Sequence, residues 1–565
     1  MIECVNSHVM NELSTYSPIL AKLLESRGIY TFKEAEHFLN PSFERDLSDP
    51  FCMHDMEKAV LRLYDAIESG EKIVVFADYD CDGIPGAVIL HDFFQKIGFK
   101  NFFVYIPDRH TEGYGLNMAS IQKFKDDGVK LIITIDLGTS NVAEVTEAQA
   151  AGMDVIVTDH HLPKEDLPHA YAIVNPKLSV EYNDTMLCGS GVVFRLVQAF
   201  LQKYRQYYKV QDGWEKWLLD MAGLATLSDM VPLVKENRVL SYYGMLVLRK
   251  SPRPGLQKLL RMMKVDQRTI SEDDIGFMLT PRINAASRMD NPMRAFELLA
   301  TRDAAESGAL AGHLSKINDE RKTLVATIMR EAHTTLKERE EKELIVIGNP
   351  KWRVGVLGLV AARVMEEYKK PVFVWGLEGS ETIKGSCRSD GTVNLVSLMS
   401  HIENQTFLEF GGHELAGGFA VSHERVHFLE EKLIASYKDL RKESDENLEK
   451  QGYFDMKLTI DDVNMKNYRD IARLAPFGTG NPKPVFLFEN IVIQSAKEFG
   501  KEGNHLELCF ENNSGKPLRA IAFFKTRASY TKVLEKGVSI NLFGSFELSN
   551  FAGREELRLR IENIV

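Results

Sequence analysis

Three short clusters carry the chemistry legible in this 565-residue chain. The first is Asp78-Tyr79-Asp80-Cys81-Asp82-Gly83, the second is the single carboxylate Asp136, and the third is Asp159-His160-His161. Carboxylate oxygens are hard ligands and imidazole nitrogen a borderline one, so the set suits Mn²⁺ or Mg²⁺ together with substrate oxygens. Each cluster stands directly behind a β-branched, apolar run: Ile73-Val74-Val75-Phe76, Leu131-Ile132-Ile133-Thr134-Ile135, and Val155-Ile156-Val157-Thr158. Such runs read as buried parallel strands, and open α/β sheets bind ligands where those strands end. A site for two divalent cations at one sheet edge is therefore expected. Taken alone, the first cluster would be an acidic loop in which Asp82 caps the next helix; Asp136 and His160 turn it into a metal site. Asp229, in Leu227-Ser228-Asp229-Met230, is a further candidate ligand that by itself is an ordinary helix-to-loop aspartate.

The rest of the chain is consistent with a large enzyme. Its length exceeds what one hydrophobic core supports, so three or four domains are expected. Apolar content of 44% is ordinary, and no apolar run is long enough to span a bilayer. Met1-Ile2-Glu3-Cys4 lacks the basic segment and apolar core of a signal peptide, and the six cysteines form no CxxC pair. A cytoplasmic protein with reduced thiols and no membrane contact is expected. The net charge of −11 argues only against indiscriminate duplex binding, since divalent cations would neutralise much of the aspartate cluster.

The organisation predicted is α/β: a helical lead-in over 1–50, a parallel-sheet catalytic domain over 51–302, and one long connecting helix within 303–342. A second, smaller α/β domain would cover 343–445, with Leu344-Ile345-Val346-Ile347 and Val372-Phe373-Val374-Trp375 as strands. Within 446–565 the text turns to five short alternating strands, which suits an OB-like barrel for nucleic acid.

The four motifs Asp78-Tyr79-Asp80-Cys81-Asp82-Gly83, Asp136-Leu137-Gly138, Asp159-His160-His161 and Ser228-Asp229 resemble those of the DHH phosphoesterase superfamily. Longer stretches narrow the likeness to the RecJ family of bacterial single-strand exonucleases. They are Pro107 to Gly115, Pro281-Arg282-Ile283-Asn284-Ala285-Ala286-Ser287-Arg288, Gly385-Ser386-Cys387-Arg388-Ser389, Gly411-Gly412-His413 and Pro476 to Pro482. The resemblance implies one metal held by Asp78 or Asp80 with Asp136, and a second held by Asp82, Asp136, His160 and Asp229. It makes Asp136 the bridge, and His161 either a donor to the substrate phosphate or the residue that orients His160. Arg109, Arg282, Asn284, Ser386, Arg388 and His413 would grip the DNA backbone and its 5′ end, as guanidinium forks match phosphate oxygens. The chain departs from the family pattern at Ala77, Pro85, Arg353 and Cys387, and the last two bear on the substrate grip of the second domain.

The activity implied is a Mn²⁺- or Mg²⁺-dependent exonuclease that degrades single-stranded DNA from the 5′ end, releasing nucleoside 5′-monophosphates in recombination and repair. The implied protein is a monomer working with single-strand-binding protein and a RecQ-type helicase. Phe546 and Phe551 are candidates for base stacking, with core packing the default for Phe546. Two other classes share parts of the pattern: a DHH phosphodiesterase acting on short RNA or cyclic dinucleotides, and a non-catalytic scaffold on the same fold. The barrel and the full set of candidate ligands weigh against them.

Overall fold

A computed structural model describes residues 12–565 apart from 183, 378–381, 403–405, 442–453, 501–502 and 552–553. The first sheet holds five parallel strands, β1 (Ile73–Ala77), β2 (Phe102–Tyr105), β3 (Leu131–Ile135), β4 (Asp154–Thr158) and β5 (Ala172–Val174), in the order β2-β1-β3-β4-β5. The apolar runs are continuous because both faces are covered. Ile73, Val75, Ala77, Ile133 and Ile135 enter one core, whereas Val74, Phe76, Ile132, Val155 and Val157 enter the other. The chain leaves β1 to form β2 on one side and returns to form β3 on the other. That reversal opens a crevice at the carboxyl ends of β1 and β3.

The second sheet has the order β6-β7-β8-β10-β9, with β6 (Ile345–Gly348), β7 (Val372–Gly376), β8 (Ile383–Arg388), β9 (Glu409–Gly412) and β10 (Ala416–Val421). One helix, Ala304–Lys337, joins the two bodies. Its 34 residues span about 51 Å at 1.5 Å per residue. Asp303 caps it by accepting from the Ala305 and Glu306 amides. Leu310, Ala311, Leu314 and Ile317 pack into the first core, and Val325, Ile328, Met329 and Ala332 pack against β6 and β7. One element thus sets the spacing of both bodies.

The C-terminal sheet contains seven strands where five were expected. They are β11 (Met456–Lys457), β12 (Phe486–Val492), β13 (Ser495–Phe499), β14 (His505–Glu511), β15 (Pro517–Ala522), β16 (Ser539–Phe551) and β17 (Arg554–Ile564), in the order β11-β12-β16-β17-β15-β14-β13. The two unforeseen strands have physical reasons to hide: β11 is two residues long, and β13 is exposed and carries no apolar alternation. Phe546 lies in the core at 4% exposure, so it cannot stack bases; the side chain of Phe551 is outside the described residues.

The N-terminal helices Pro18–Glu25 and Phe32–Leu39 bury Leu20, Leu23, Leu24 and Leu39 in the same core as Phe486, Phe488 and Leu559. Both ends of the chain therefore share one hydrophobic body. It is fixed to the catalytic sheet domain by Arg238, which donates to the Phe38, Leu474 and Pro476 carbonyls. The Leu233 amide donates to Thr479 and Lys483 pairs with Asp273, so the barrel returns to the first domain.

Candidate metal centre

Strand register brings the clusters together. Ala77 pairs with Ile135 and Ile135 with Thr158, so the next residues, Asp78, Asp136 and Asp159, leave three adjacent strands at one level. The ladder runs one step further, with the Asp78 amide donating to Ile135, Asp136 to Thr158 and Asp159 to Val174. Asp136 has φ 62°, a left-handed conformation that a non-glycine residue holds only where its surroundings enforce it. Here the Tyr114 hydroxyl donates to its carbonyl, 3.1 Å away.

The first cluster wraps tightly into the Gly83–Ile97 helix. A Cβ at residue 83 would lie 2.4 Å from the Asp78 carbonyl oxygen, so only glycine fits. Asp80 braces the turn by accepting from the Asp82 and Gly83 amides. Asp82 does not cap its own helix. Its carboxylate accepts instead from the Gly189 and Ser190 amides, at 2.6 and 2.7 Å, at the start of the Gly189–Tyr204 helix. Gly189 is also required, because a Cβ there would sit 2.6 Å from that of Asp136. Asp229 arrives at the end of the Leu219–Ser228 helix. Its position is fixed by the Ser228 hydroxyl against Thr280 Oγ1 at 2.6 Å.

The ligand-type atoms fall into three overlapping groups, each within 4.8 Å: Asp78, Asp80 and Asp136; Asp82, His160 and Asp229; and Asp136, His160 and His161. His160 Nε2 lies 3.1 Å from Asp136 Oδ1, 3.7 Å from Asp82 Oδ2 and 3.8 Å from Asp229 Oδ2. Burial and the neighbouring His161 pull the His160 pKa down to about 3, so its ring is neutral. Burial, then Asp80, pushes Asp82 up to about 6; burial, then Asp82 and Asp80, pushes Asp229 up to about 9. Asp78 and Asp136 are raised by burial first and by the other carboxylates second. One oxygen of each, Asp78 Oδ1 and Asp136 Oδ1, is buried without a hydrogen-bond partner. Neutral imidazole lone pairs, crowded carboxylates and orphaned oxygens together form a cluster rich in donor atoms and negative charge. Divalent cations fit that donor set.

His161 is in a different state. Burial opposes its protonation, but its Nδ1 lies 2.8 Å from Asp159 Oδ1 and the pKa is raised. Asp159 also accepts from the Thr139, His160 and His161 amides and is held well below the usual carboxylate range despite burial. His161 Nδ1–H therefore donates to the Asp159 carboxylate, and Nε2 is the nitrogen left for other partners. From the second domain the His413 ring stacks on His161, with centroids 6.1 Å apart and planes at 15°.

The remaining substrate-grip candidates lie on two elements, strand β8 and the Thr280–Met289 helix, and on the loop that carries Arg109. Ser386 and Arg388 share one face of β8, and a Cβ at Gly358 would lie 3.2 Å from Arg388 Nη2 and 3.6 Å from Ser386 Oγ. Arg109 sits 5.0 Å over the Tyr79 ring and within electrostatic reach of Arg388. Cys387, between the two, points the other way and is wholly buried in the domain core, so this departure leaves the Ser386–Arg388 face intact. Arg353 donates to the Met289 carbonyl. Arg282 and Asn284 lie on the Thr280–Met289 helix, which packs on the long helix: Arg282 donates to Met278 within electrostatic reach of Asp319, and Asn284 Oδ1 is buried without a partner.

Several contributors carry no metal-ligand signature. Gly189 and Ser190 hold Asp82, Lys177 donates to the His160 carbonyl, and Tyr114 supports Asp136. Arg288, repelled by Arg109, Arg321 and Arg388 and drawn to Asp80, donates to Gly355 across the domain boundary. The run Cys188-Gly189-Ser190-Gly191 was the one available sign, as small residues at a helix start.

Comparison with known proteins agrees with this geometry. Residues 72–226 match the DHH family N-terminal domain, 341–439 the DHHA1 domain, and 454–563 the RecJ OB domain. The single-stranded-DNA-specific exonuclease RecJ of Bacillus subtilis is 32% identical over 97% of this chain and 68% of its own length. That of Haemophilus influenzae is 31% identical over 98% and 97%, and that of Escherichia coli 30% over 97% and 96%. The crystal structure of RecJ in complex with Mn²⁺ from Thermus thermophilus superposes with a TM-score of 0.80 at 26% identity, covering 99% of this chain and 77% of that one. An exonuclease RecJ bound to manganese superposes at 0.60 and 30% identity, covering 71% and 97%. This chain belongs to the RecJ family.

Proposed function

We propose that the protein is a two-metal exonuclease that degrades single-stranded DNA from its 5′ end and releases nucleoside 5′-monophosphates. The observation that supports this most is the row of carboxylates at one sheet edge, with two orphaned oxygens on Asp78 and Asp136 and the neutral His160 ring beside Asp136. The relatives named above are called single-stranded-DNA-specific exonucleases, and two of the matched structures hold manganese. Asp78 or Asp80 with Asp136 would hold one cation, and Asp82, Asp136, His160 and Asp229 the other. Bound there, divalent cations supply Lewis-acid polarisation of a phosphodiester and acidify water.

The protein's own groups do the rest. Asp159 keeps the His161 ring in one orientation with Nδ1 protonated, which leaves Nε2 to donate to a phosphate oxygen. His413, stacked on that ring, brings the second domain to the same point. Ser386, Arg388 and Arg109 offer a hydroxyl and two guanidinium forks to a terminal phosphate, and this would choose the 5′ end. The barrel, anchored back on the first domain, would help close a channel for one strand. Single-strand-binding protein and a helicase that exposes single strands are the natural partners, in a monomeric, cytoplasmic enzyme.

The test is timed product analysis on oligonucleotides labelled at the 5′ or the 3′ end, with Mn²⁺, Mg²⁺ or chelator. Early release of 5′ label as mononucleotide, lost on chelation, is expected. Early release of 3′ label, or turnover in chelator, would overturn the reading.

A further inference from the structure

The Gly83–Ile97 and Leu219–Ser228 helices pack against each other, and each has one end at the metal centre. The first begins directly after Asp82 and leads away from the sheet edge; the second leads back and delivers Asp229. Both carboxylates belong to one ligand group with His160. They are not held alike. Asp82 accepts from the Gly189 and Ser190 amides. The Ser228 hydroxyl ties the other helix end to Thr280, but among the described residues the Asp229 carboxylate itself accepts no hydrogen bond from the protein. Where the Asp229 oxygens lie relative to Asp82 therefore follows from how the two helices are set.

Away from the metal centre, the same two helices meet at one side chain. Arg253 is buried, and its Nε donates to Asp220 Oδ2 at 2.7 Å. Its Nη2 reaches Asp220 Oδ1 at 3.2 Å and Asp92 Oδ2 at 2.9 Å, and Nη1 donates to the Leu299 carbonyl at 3.1 Å. Asp92 follows Asp82 by ten residues and Asp220 precedes Asp229 by nine, so the guanidinium joins the helices about 14–15 Å along each from its metal ligand. Ser251 donates to Asp220 and Arg302 to Asp92, so neither carboxylate is free to turn away. Burial disfavours the Arg253 charge, yet Asp220 and Asp92 more than offset it and hold its pKa above the usual arginine range. A buried ion triad gains little stability over apolar packing, because desolvation offsets the attraction. What it specifies is geometry.

We propose that Arg253 is a positioning residue for the metal centre: by clamping Asp92 to Asp220 it fixes the spacing of the two helices, and through them that of Asp82 and Asp229 around one cation. The need for a clamp arises at the near end. Asp82 Oδ2 and Asp229 Oδ2 lie 3.7 and 3.8 Å from the same His160 nitrogen, and two carboxylates so placed repel until a cation arrives. Helices pushed apart at one end and joined at the other by a rigid fork cannot splay freely. Only arginine suits the junction, since its planar guanidinium bridges two carboxylates, whereas a lysine ammonium is a point charge on a flexible stem. Arg253 touches neither metal nor substrate, yet a ligand displaced by about 1 Å can cost on the order of a hundredfold in rate. This rests on the two-cation reading proposed above.

The test uses the full-length protein and Arg253→Lys, which keeps the charge and loses the fork. Asp92→Asn is a second, milder variant that weakens only the Gly83–Ile97 side of the clamp. Mn²⁺ binding is titrated by calorimetry, and the signal that disappears in Asp229→Ala marks the site shared by Asp82 and Asp229. That site is expected to weaken about tenfold or more in Arg253→Lys, with the other constant unchanged. Hydrolysis should then need correspondingly more Mn²⁺ for half its maximal rate. Asp92→Asn should shift the same constant in the same direction by less. Arg62→Lys is the control: Arg62 is another buried arginine that bridges two carboxylates, Glu71 and Asp154, and neither lies on a helix that ends at a metal ligand. It should lower the melting temperature and leave both Mn²⁺ constants alone. The clamp is refuted if neither Arg253→Lys nor Asp92→Asn moves the constant, if both metal sites weaken alike, or if Arg62→Lys weakens the site as much. If wild type binds fewer than two ions, the two-cation reading itself fails and the clamp falls with it.

Discussion

Removing divalent cations should make the folded protein less stable as the pH rises, and the structure gives the sign and the scale. The Asp82 carboxyl is buried beside Asp80 and titrates at about 6, against 3.8 for an unperturbed aspartate. A group whose pKa is raised by folding holds its proton better in the folded state. Its contribution is complete below about pH 4 and is lost as the pH climbs through 6. Two pH units at 1.36 kcal/mol each correspond to about 3 kcal/mol, or roughly 6–12 °C in melting temperature for a domain of this size. Asp229, raised to about 9, extends the loss to higher pH, and Asp78, Asp136 and His161 shift in the same direction. His160, lowered to about 3, opposes the loss below about pH 6.5 and leaves it unopposed above. With cations bound, the same carboxylates are wanted ionised, so stabilisation by Mn²⁺ should grow between pH 5 and 8. The assay is thermal unfolding at pH 5, 6, 7 and 8 in Mn²⁺ and in chelator, read as the difference between the two curves. Titrations elsewhere cancel in that difference. Curves that run parallel across the range would refute the reasoning.

Three further outcomes follow from the same geometry. Asp136→Ala should abolish Mn²⁺-supported hydrolysis while the fold persists, because its carboxylate belongs to two of the three ligand groups; appreciable turnover by the folded variant would remove it as the bridge. Asp229→Ala should lower the stoichiometry or affinity of Mn²⁺ measured by calorimetry, and an unchanged titration would take Asp229 out of the site. Arg388→Ala should cut activity on 5′-phosphorylated single strands by about ten- to a hundredfold with metal binding intact, from charge-assisted contacts of roughly 1.5–3 kcal/mol. Wild-type rates on that substrate would show that the β8 face does not hold the phosphate.

Much of the catalytic sheet was legible because local sequence and position coincide there. Each candidate ligand after β1, β3 and β4 stands one residue or a few beyond an apolar run, and parallel pairing carries those ends to one edge. Asp229 was harder, since a helix end has no fixed register against a sheet; only the likeness of Ser228-Asp229 to a known motif pointed to it. Asp159 was read as part of a motif but given no task. Its work is to hold His161 and the Thr139 amide, and that depends on a loop 20 residues away in sequence. The polar strand β13 and the sharing of one core by both chain ends were invisible for a related reason, because each depends on a distant partner.

The arginines show where reading by motif stops. Arg282 and Arg388 were grouped as one phosphate grip because both stand in family-like stretches. In the structure Arg388 shares a face with Ser386 near Arg109, Arg282 is within electrostatic reach of Arg321 on a helix that the sequence marks only as long and unbroken, and Arg288 is within reach of both Arg321 and Arg388. Arginine in a helix is ordinarily a solvated or paired residue, so nothing in the text distinguishes Arg321 from its neighbours. What distinguishes it is the lack of any carboxylate opposite and the unsatisfied Asn318 one turn away. A missing partner is a property of the assembled fold. Unpaired polar groups are thus least visible in sequence where they are most informative in structure: at contacts among helices from separate domains, whose register against one another no local pattern records.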